Sequence, residues 1–296
     1  MSILETQRGK ILELAKANGR GRARQHKIVS IAAAPQFGSP RNLFSAWDEI
    51  ADDIREARSI AVLSDFDGSL AKIQRSPGSV RLAKPAREVL AELAKHDVMV
   101  GIISGRSLAD VRKRVALEGI CYVGCQGYSI QDARGHRITL ANRNERRLLA
   151  SATEQLKEKL AGLDGVRVEV KEASLAVHYR EASRAIAARA KHIVAETIAE
   201  NRGLRLSGGK KVWEIFPGSG VDKWTAIKFL LSREGHTESL LIYAGDDVGD
   251  EPVFAHMSGI SILVGKRRAT AARYSLESPV ELRRVLEKVL AARRSQ

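Results

Sequence analysis

Carboxylates follow directly on two apolar runs of this 296-residue sequence. The segment Asp-Phe-Asp-Gly-Ser-Leu at 65–70 follows the apolar residues 60–63, and Gly-Asp-Asp-Val-Gly-Asp-Glu at 245–251 follows the apolar residues 240–244. Such runs are typical of buried strands in a parallel sheet, and open α/β sheets bind ligands at the carboxyl ends of their strands. Clustered carboxylates at this edge repel each other. A hard divalent cation such as Mg²⁺ would compensate them and would also screen an incoming phosphate.

A hydroxyl and a lysine complete the set of reactive side chains. The apolar run Val98–Ile103 ends in Ser-Gly-Arg at 104–106, and Lys223 lies near the start of a helix predicted over 221–231. Ser104 can donate a hydrogen bond to phosphoryl oxygens, and Lys223 can neutralise a nucleophile and a phosphate together. A serine at a strand end is more often only a helix cap, and a lone lysine is usually solvated. Neither residue is strong evidence for a functional site on its own. Strong evidence comes from four features in this chain order: the carboxylate pair Asp65 and Asp67, the hydroxyl of Ser104, Lys223, and the carboxylate cluster at 246–251.

These segments resemble those of the haloacid dehalogenase superfamily of phosphotransferases and, within it, the trehalose-6-phosphate phosphatases. The general likeness rests on residues 65–70, 104–106, 223 and 245–251. The narrower likeness adds Pro77, His-Tyr-Arg at 178–180 and Gly-Lys-Lys-Val-Trp-Glu-Ile at 209–215. The resemblance covers about residues 45–285 and leaves the N-terminal segment unmatched.

The resemblance implies an α/β fold: a doubly wound parallel-sheet core of the haloacid dehalogenase type with an inserted α/β cap domain. It implies an Mg²⁺-dependent phosphatase that hydrolyses a sugar phosphate, trehalose-6-phosphate first among candidates, through an aspartyl-phosphate intermediate. The catalytic residues would be Asp65 as nucleophile, Asp67 as general acid and base, Ser104 and Lys223. The implied metal ligands are Asp65, Asp67 through its main-chain carbonyl, Asp246, Asp247 and Asp250, with the choice between the last two left open. The residues expected to bind substrate are Gly68, Gly105, Arg106, Gln126, His178, Arg180, Lys211 and Glu214.

The motifs are numbered here in chain order: 65–70 is the first, Ser-Gly-Arg at 104–106 the second, Lys223 the third and 245–251 the last. The sequence departs from the family pattern in the segment that follows the second motif. In the resembling family a Gly-x-His-Gly-x-acid segment touches the sugar, whereas residues 124–129 here are Gly-Cys-Gln-Gly-Tyr-Ser. Gln126 therefore stands for the histidine and Ser129 for the acid. Trp224 follows the motif lysine where a glycine is usual, and Ser69 replaces a threonine. Because an acid that accepts bonds from sugar hydroxyls is missing, another glycosyl phosphate is an alternative substrate.

Hydrophobic periodicity predicts an N-terminal extension over 1–44, a core over 45–130 and 209–296, and a cap over 131–208. In the core, helices predicted over 43–58 and 85–96 and a strand over 120–123 join the apolar runs into βαβ units. In the cap, helices over 145–163 and 182–201 and strands over 166–170, 174–180 and 204–206 predict a half-exposed sheet with two helices. Residues 211–216 are expected to lead back into the core.

The formal net charge of +14 favours contact with anions. Nucleic acid is one candidate, but the basic residues are dispersed along predicted helices and aromatic residues make up only 5% of the chain. A solvated basic surface that steers a phosphate substrate is therefore favoured. The alternative from a different class is a catalytically weak relative that binds a sugar phosphate or nucleic acid. The oligomeric state is not indicated.

The sequence predicts a cytoplasmic protein. It contains no apolar stretch that approaches a membrane span, and the apolar run at 28–34 is short and lies too far inside the chain for a secretory signal. Cys121 and Cys125 have no further Cys or His at zinc-ligand spacing. We expect them to be buried thiols in a reducing compartment.

Overall fold

In the computed structural model of the protein, residues 38–74, 77–209, 211–266 and 268–294 are described. The helical pattern at 3–17 and the rest of residues 1–37 lie outside the described part. The strands are β1 (Arg41–Asn42), β2 (Ile60–Asp65), β3 (Val98–Ile103), β4 (Cys121–Gly124), β5 (Ser129–Gln131), β6 (Arg137–Thr139), β7 (Arg167–Val170), β8 (Leu175–His178), β9 (Leu204–Gly209), β10 (Val212–Pro217), β11 (Leu240–Gly245), β12 (Ile260–Val264) and β13 (Tyr274–Leu276).

The α-helices are α1 (Trp47–Glu56), α2 (Lys84–Lys95), α3 (Leu108–Val115), α4 (Arg143–Lys159), α5 (Arg184–Glu200), α6 (Lys223–Glu234), α7 (Glu251–His256) and α8 (Pro279–Arg294). Helices and strands predicted from the apolar runs and their periodicity are confirmed within a few residues at their ends. None of the helices in the described ranges is long and apolar enough to cross a membrane.

Nine strands form the central sheet in the order β1-β13-β12-β11-β2-β3-β4-β5-β6. All neighbouring pairs are parallel except β4–β5 and β5–β6, which are antiparallel. β2 and β3 are buried at every residue because helices cover both faces of the sheet. Helices α1, α2, α3 and α8 pack on one face, and α6 and α7 pack on the other. The predicted doubly wound α/β core is confirmed.

The cap consists of the antiparallel sheet β7-β8-β10-β9 and the helices α4 and α5. One face of this sheet buries Val177, Trp213 and other apolar side chains against the two helices. The other face is polar: Glu214 of β10 and Glu169 of β7 both pair in register with Ala176 of β8, so the two carboxylates lie on the same side.

The predicted domain boundaries need correction at three points. β6 and the last residue of β5 belong to the core sheet although the cap was predicted over 131–208. β10 belongs to the cap sheet although 211–216 was expected to lead back into the core. β6 has only three residues, none of them buried, so no apolar run marks it. β1 pairs with β13, which places residues of the predicted 1–44 extension in the core.

Candidate active site

Lys223 joins two carboxylates at the carboxyl edge of the central sheet. Asp65 ends β2, Asp250 lies in the turn after β11, and Lys223 begins α6. Lys223 Nζ is 2.7 Å from Oδ1 of Asp65 and 2.7 Å from Oδ1 of Asp250. The exposed fractions of the three side chains are 4% for the lysine, 8% for Asp65 and 0% for Asp250. Burial alone would lower the pKa of Lys223, but the two carboxylates raise it above its usual value, so the ammonium stays charged.

Asp250 organises the loop around it. Its Oδ1 accepts hydrogen bonds from Lys223 and from the hydroxyl of Tyr243, the latter at 2.6 Å. Its Oδ2 accepts the backbone N–H groups of Asp246 and Asp247, both at 3.1 Å. Four donors therefore surround this buried carboxylate, which holds both the lysine and the carboxylate loop in place.

Asp65, Asp246 and Asp250 each bring a carboxylate oxygen within 4.8 Å of the others. Burial raises the pKa of Asp65 well above its usual value; Lys223 opposes this shift, and the two neighbouring carboxylates add to it. Burial and the charge of Asp250 likewise raise the pKa of Asp246 to about 7. These are hard oxygen donors whose repulsion a cation would relieve, so the donor set fits Mg²⁺. Because four donors already occupy the oxygens of Asp250, Asp65 and Asp246 are the better placed ligands.

Two predicted residues of the carboxylate loops have local backbone roles. Asp247 is exposed, and its Oδ1 accepts the N–H of Val248 at 2.7 Å, which caps the short 3₁₀ helix Val248–Asp250. Gly68 has a φ of +95°, and a Cβ at this position would lie 2.0 Å from Oδ2 of Asp246. Glycine at this turn therefore lets the first and last motifs approach each other.

Asp67 is held by an arginine instead of the lysine. Arg106 Nε is 2.6 Å from Oδ2 of Asp67, and Arg106 Nη2 is 2.7 Å from Oδ1. The same guanidinium donates from Nη1 to Asp110 in α3 at 2.8 Å, and Arg114 donates to that aspartate oxygen at 2.7 Å. A bidentate arginine fixes the plane of a carboxylate, so Arg106, predicted to bind substrate, here positions the side chain of Asp67.

Ser104 and the segment after the second motif lie side by side. Ser104 is 1% exposed, and its Oγ accepts the N–H of Arg106 at 3.2 Å. Gln126 has a left-handed φ of 57°. Its side-chain nitrogen Nε2 would lie 2.6 Å from a Cβ placed on Gly105. Gly105 and Gln126, both expected to bind substrate, are therefore neighbours. Ser129 Oγ, at the position of the family acid, is buried and has no hydrogen-bond partner among the described residues.

The polar face of the cap sheet reaches the second motif through Glu214. Its Oε1 is 2.6 Å from Lys171 Nζ, and this ammonium is 3.3 Å from the carbonyl oxygen of Gly105. Lys171 and its neighbour Glu172, which also contacts the core, were not predicted as functional. Charged residues between two short strands look like a solvated turn in the sequence, and only the tertiary contacts distinguish them.

Three other predicted substrate residues belong to the cap. His178 Nε2 is 2.7 Å from Oε2 of Glu169 on the polar face of the sheet. Lys211 has a left-handed φ of 65°, is exposed, and places its ammonium 5.9 Å from the centre of the Tyr179 ring. Arg180 is exposed in the turn after β8. Substrate contact by these three residues remains a prediction.

Comparison with known proteins identifies the family. A family model described as trehalose-phosphatase matches residues 63–279. The chain belongs to the trehalose-phosphatase family. A trehalose-phosphate phosphatase of Mycobacterium leprae is 35% identical in an alignment of 263 residues that covers 81% of this chain and 59% of that protein. A trehalose-phosphate phosphatase of Mycobacterium tuberculosis is 36% identical in an alignment of 236 residues that covers 76% of this chain and 60% of that protein. The chain thus spans about 60% of the length of these relatives.

Solved structures support the same fold. The C-terminal domain of a trehalose-6-phosphate phosphatase from Candida albicans aligns with a TM-score of 0.66 at 19% identity, covering 86% of this chain and 99% of that domain. A trehalose-6-phosphate phosphatase related protein aligns with a TM-score of 0.66 at 22% identity, covering 78% of this chain and 97% of the other. At this identity the alignments establish the shared fold of core and cap.

Proposed function

We propose that the chain is an Mg²⁺-dependent phosphatase that hydrolyses a sugar phosphate, trehalose-6-phosphate first, through a phosphoryl group carried on Asp65. The observation that carries the proposal is the buried lysine between Asp65 and Asp250, 2.7 Å from each. One oxygen of Asp65 faces this ammonium, which opposes the rise that burial causes in the pKa of the carboxyl group, and the other oxygen is left to attack.

The reaction needs two displacements at phosphorus. In the first, an oxygen of Asp65 forms a bond to phosphorus, the bond from phosphorus to the sugar oxygen breaks, and that oxygen takes a proton from Asp67. In the second, Asp67 removes a proton from water, the water oxygen attacks phosphorus, and phosphate leaves with Asp65 restored. Lys223 and the Ser104 hydroxyl are suited to stabilise the phosphoryl oxygens in both displacements. Arg106 fixes the plane of the Asp67 carboxyl group.

Asp65 and Asp246 would hold the metal, with the main-chain carbonyl of Asp67 as the further ligand that the family resemblance implies. Asp250 would orient Asp246 and Lys223 through its four hydrogen bonds. When bound, Mg²⁺ supplies positive charge against the phosphoryl oxygens and the carboxylates. Asp247, which caps a turn, would act only through the shape of the loop.

The polar face of the cap is suited to bind the sugar. Glu214 and Lys171 offer an acceptor and a donor beside the second motif, and His178 with Glu169 offers a further pair on the same sheet face. Sugar hydroxyls both donate and accept hydrogen bonds, so such paired groups suit them. Cys121 and Cys125, both buried and free, support the expected reducing, cytoplasmic compartment.

Two assays test the proposal. Phosphate release from trehalose-6-phosphate is expected to require divalent metal and to vanish in Asp65→Asn. Turnover that survives this substitution or complete chelation would contradict the mechanism. A panel of sugar phosphates ranked by kcat/KM then tests the substrate, since the core chemistry treats phosphomonoesters alike and discrimination must come from the cap and the segment 124–129.

Glu214→Ala distinguishes a sugar contact from a structural role. The substitution is expected to reduce kcat/KM about tenfold or more on the preferred sugar phosphate and less than threefold on a small aryl phosphate that cannot reach the cap. Equal losses on both substrates would mean that Glu214 is structural, and a higher rank for another glycosyl phosphate would replace trehalose-6-phosphate. Salt-sensitive binding of nucleic acid without phosphatase turnover would favour the alternative suggested by the charge of +14.

A further inference from the structure

The turn between β7 and β8 joins the cap to the core at two adjacent residues. Lys171 Nζ is 3.3 Å from the carbonyl oxygen of Gly105. Glu172 accepts the backbone N–H of Leu108 on Oε2 at 3.2 Å and that of Ala109 on Oε1 at 3.0 Å. The two contacts lie on either side of the segment that carries Arg106.

Glu172 completes the N-terminus of a core helix. The side chain of Ser107 already accepts the N–H of Asp110, while the first two N–H groups of α3 have no partner within the helix. Both go to the carboxylate of Glu172, and the positive end of the helix dipole favours this negative charge. Because the donors belong to the core and the acceptor belongs to the cap, the bonds exist only while the cap is closed.

The core segment 105–109, which Lys171 and Glu172 of the cap contact, also sets the geometry of Asp67. Arg106 binds both oxygens of Asp67, at 2.6 and 2.7 Å, and anchors on Asp110 in the first turn of α3. Lys171 and Glu172 thus contact the residues immediately before and shortly after Arg106. Movement of the cap away from this segment would release both of its ends.

We propose that Glu172 is a positioning residue that latches the cap onto α3 and thereby couples cap closure to the placement of Asp67 through Arg106. It does not touch the reacting atoms. Removing the latch shifts the equilibrium between closed and open cap about tenfold towards open, the size expected for a carboxylate on a helix N-terminus. Glu172 is exposed and belongs to none of the described apolar clusters, so its loss leaves no cavity in the core.

A buried thiol reports cap opening independently of activity. Cys125 is fully buried under the cap: its Sγ lies 3.6 Å from Oε2 of Glu172 and packs with Ala173. Cys121 is equally buried, but within the core sheet and its helices. Opening of the cap therefore exposes Cys125 alone, whereas unfolding of the core exposes both thiols.

The experiment labels the full-length protein with a thiol reagent under native conditions and quantifies both cysteines by mass spectrometry. Cleavage after Arg114 and Arg134 places both in one peptide, 115–134, whose fragments separate them. Because burial and the charge of Glu172 raise the pKa of the Cys125 thiol, labelling rates are first corrected for the thiolate fraction, which is obtained from their dependence on pH. After this correction, Glu172→Ala is expected to accelerate labelling of Cys125 about tenfold and to leave Cys121 unchanged. Glu172→Gln covers the thiol equally well but lacks the charge, so it is expected to give a smaller acceleration, about threefold.

Glu158→Ala, an exposed cap carboxylate on α4 that makes no side-chain contact with the core among the described residues, is the matched control and is expected to label like the wild type. Equal labelling of Cys125 in Glu172→Ala and this control would overturn the latch. Acceleration of both cysteines would overturn it as well, since the glutamate would then stabilise the whole fold.

The kinetic readout rests on the proposed phosphatase function, whereas the labelling does not. Glu172→Ala is expected to lower kcat/KM on the sugar phosphate about tenfold and to change kcat/KM on an aryl phosphate less than twofold. The reason is that kcat/KM reports the first displacement, in which a phenolate leaves without a proton from Asp67. Equal losses on both substrates would overturn the coupling to Asp67. Absence of turnover in the wild type would refute the phosphatase proposal and leave the latch to be judged by labelling.

Discussion

Asp250→Asn isolates what the buried carboxylate does for the fold and for the site. The substitution keeps the volume of the side chain and removes its charge. Aspartate offers two acceptor oxygens, which here receive Lys223 and Tyr243 on one side and two backbone N–H groups on the other. Asparagine offers one acceptor oxygen and one NH₂ donor, so it can serve only one of these two pairs.

The expected loss of stability follows from the pair of hydrogen-bond donors that asparagine leaves without an acceptor. Two buried donors would face an NH₂ group, and the ammonium of Lys223 would keep only Asp65 as a counter-charge. An unsatisfied buried donor costs about 1–3 kcal/mol, and breaking a buried ion pair costs about 3–5 kcal/mol. Since Lys223 retains one partner, we expect the free energy of unfolding to fall by about 3 kcal/mol. Phosphatase activity is expected to fall at least a hundredfold, because both the lysine and the Asp246 loop lose their anchor.

Urea unfolding monitored by circular dichroism measures the change, with an unchanged dependence on urea as the sign of an intact native state. Asp247→Asn is the matched control, because its exposed side chain caps only the short 3₁₀ helix Val248–Asp250. We expect this control to lose less than about 1 kcal/mol and to keep its requirement for Mg²⁺ unchanged. A stability of Asp250→Asn within 1 kcal/mol of the control would refute the view that four donors depend on this carboxylate.

Three further predictions concern neighbouring residues. Gly68→Ala is expected to lower the free energy of unfolding by about 2 kcal/mol or more and to abolish activity, because its Cβ would meet Asp246; normal activity in phosphate-release assays would contradict this close approach. Because the pKa of Asp246 is raised to about 7, the metal-free folded protein holds this proton more tightly than the unfolded chain does. Relative to Asp246→Asn, urea unfolding in chelator is therefore expected to show wild-type stability declining as pH rises from about 4 to 7, and a rising difference would reverse the sign of this coupling. Arg106→Lys loses the bidentate pairing and is expected to lower kcat/KM on the sugar phosphate about tenfold while sparing kcat/KM on an aryl phosphate, whose phenolate leaves without a proton; equal losses in kcat/KM would show that Arg106 does not act through Asp67.

The residues of the central site were predictable because each follows an apolar run. A parallel sheet aligns the carboxyl ends of its strands, so Asp65, Ser104 and Asp246 had to share one edge once β2, β3 and β11 were recognised. The lysine followed from its place at the start of a helix. The sequence did not reveal the separate roles of Asp247 and Asp250, since both were possible metal ligands. Only the hydrogen bonds show that Asp247 caps a turn and that Asp250 is a buried acceptor which holds the loop.

The cap was harder to predict because its contacts join residues that are far apart in the sequence. Glu172 and the start of α3 are more than sixty residues apart, and neither carries a local signal of pairing. The predicted boundaries between core and cap were wrong for a related reason. β6 lacks a buried apolar residue, and β10 alternates half-buried and buried residues from Val212 to Ile215 like any strand with one polar face. The local pattern therefore does not say which sheet each strand joins. Partner choice in a sheet is a tertiary property.

The most direct test of the central claim is to look for the phosphoryl group on Asp65. Rapid acid quenching during turnover of the sugar phosphate, followed by mass spectrometry, is expected to find a phosphorylated peptide 59–72, with the group on Asp65 and not on Asp67. With an aryl phosphate, whose phenolate leaves without a proton, Asp67→Asn keeps the nucleophile but lacks the base for the second displacement, so it is expected to accumulate more of this species, and Asp65→Asn none. The assignment of Asp65 as nucleophile would be contradicted if the wild type released phosphate while neither it nor Asp67→Asn carried a phosphoryl group on this peptide.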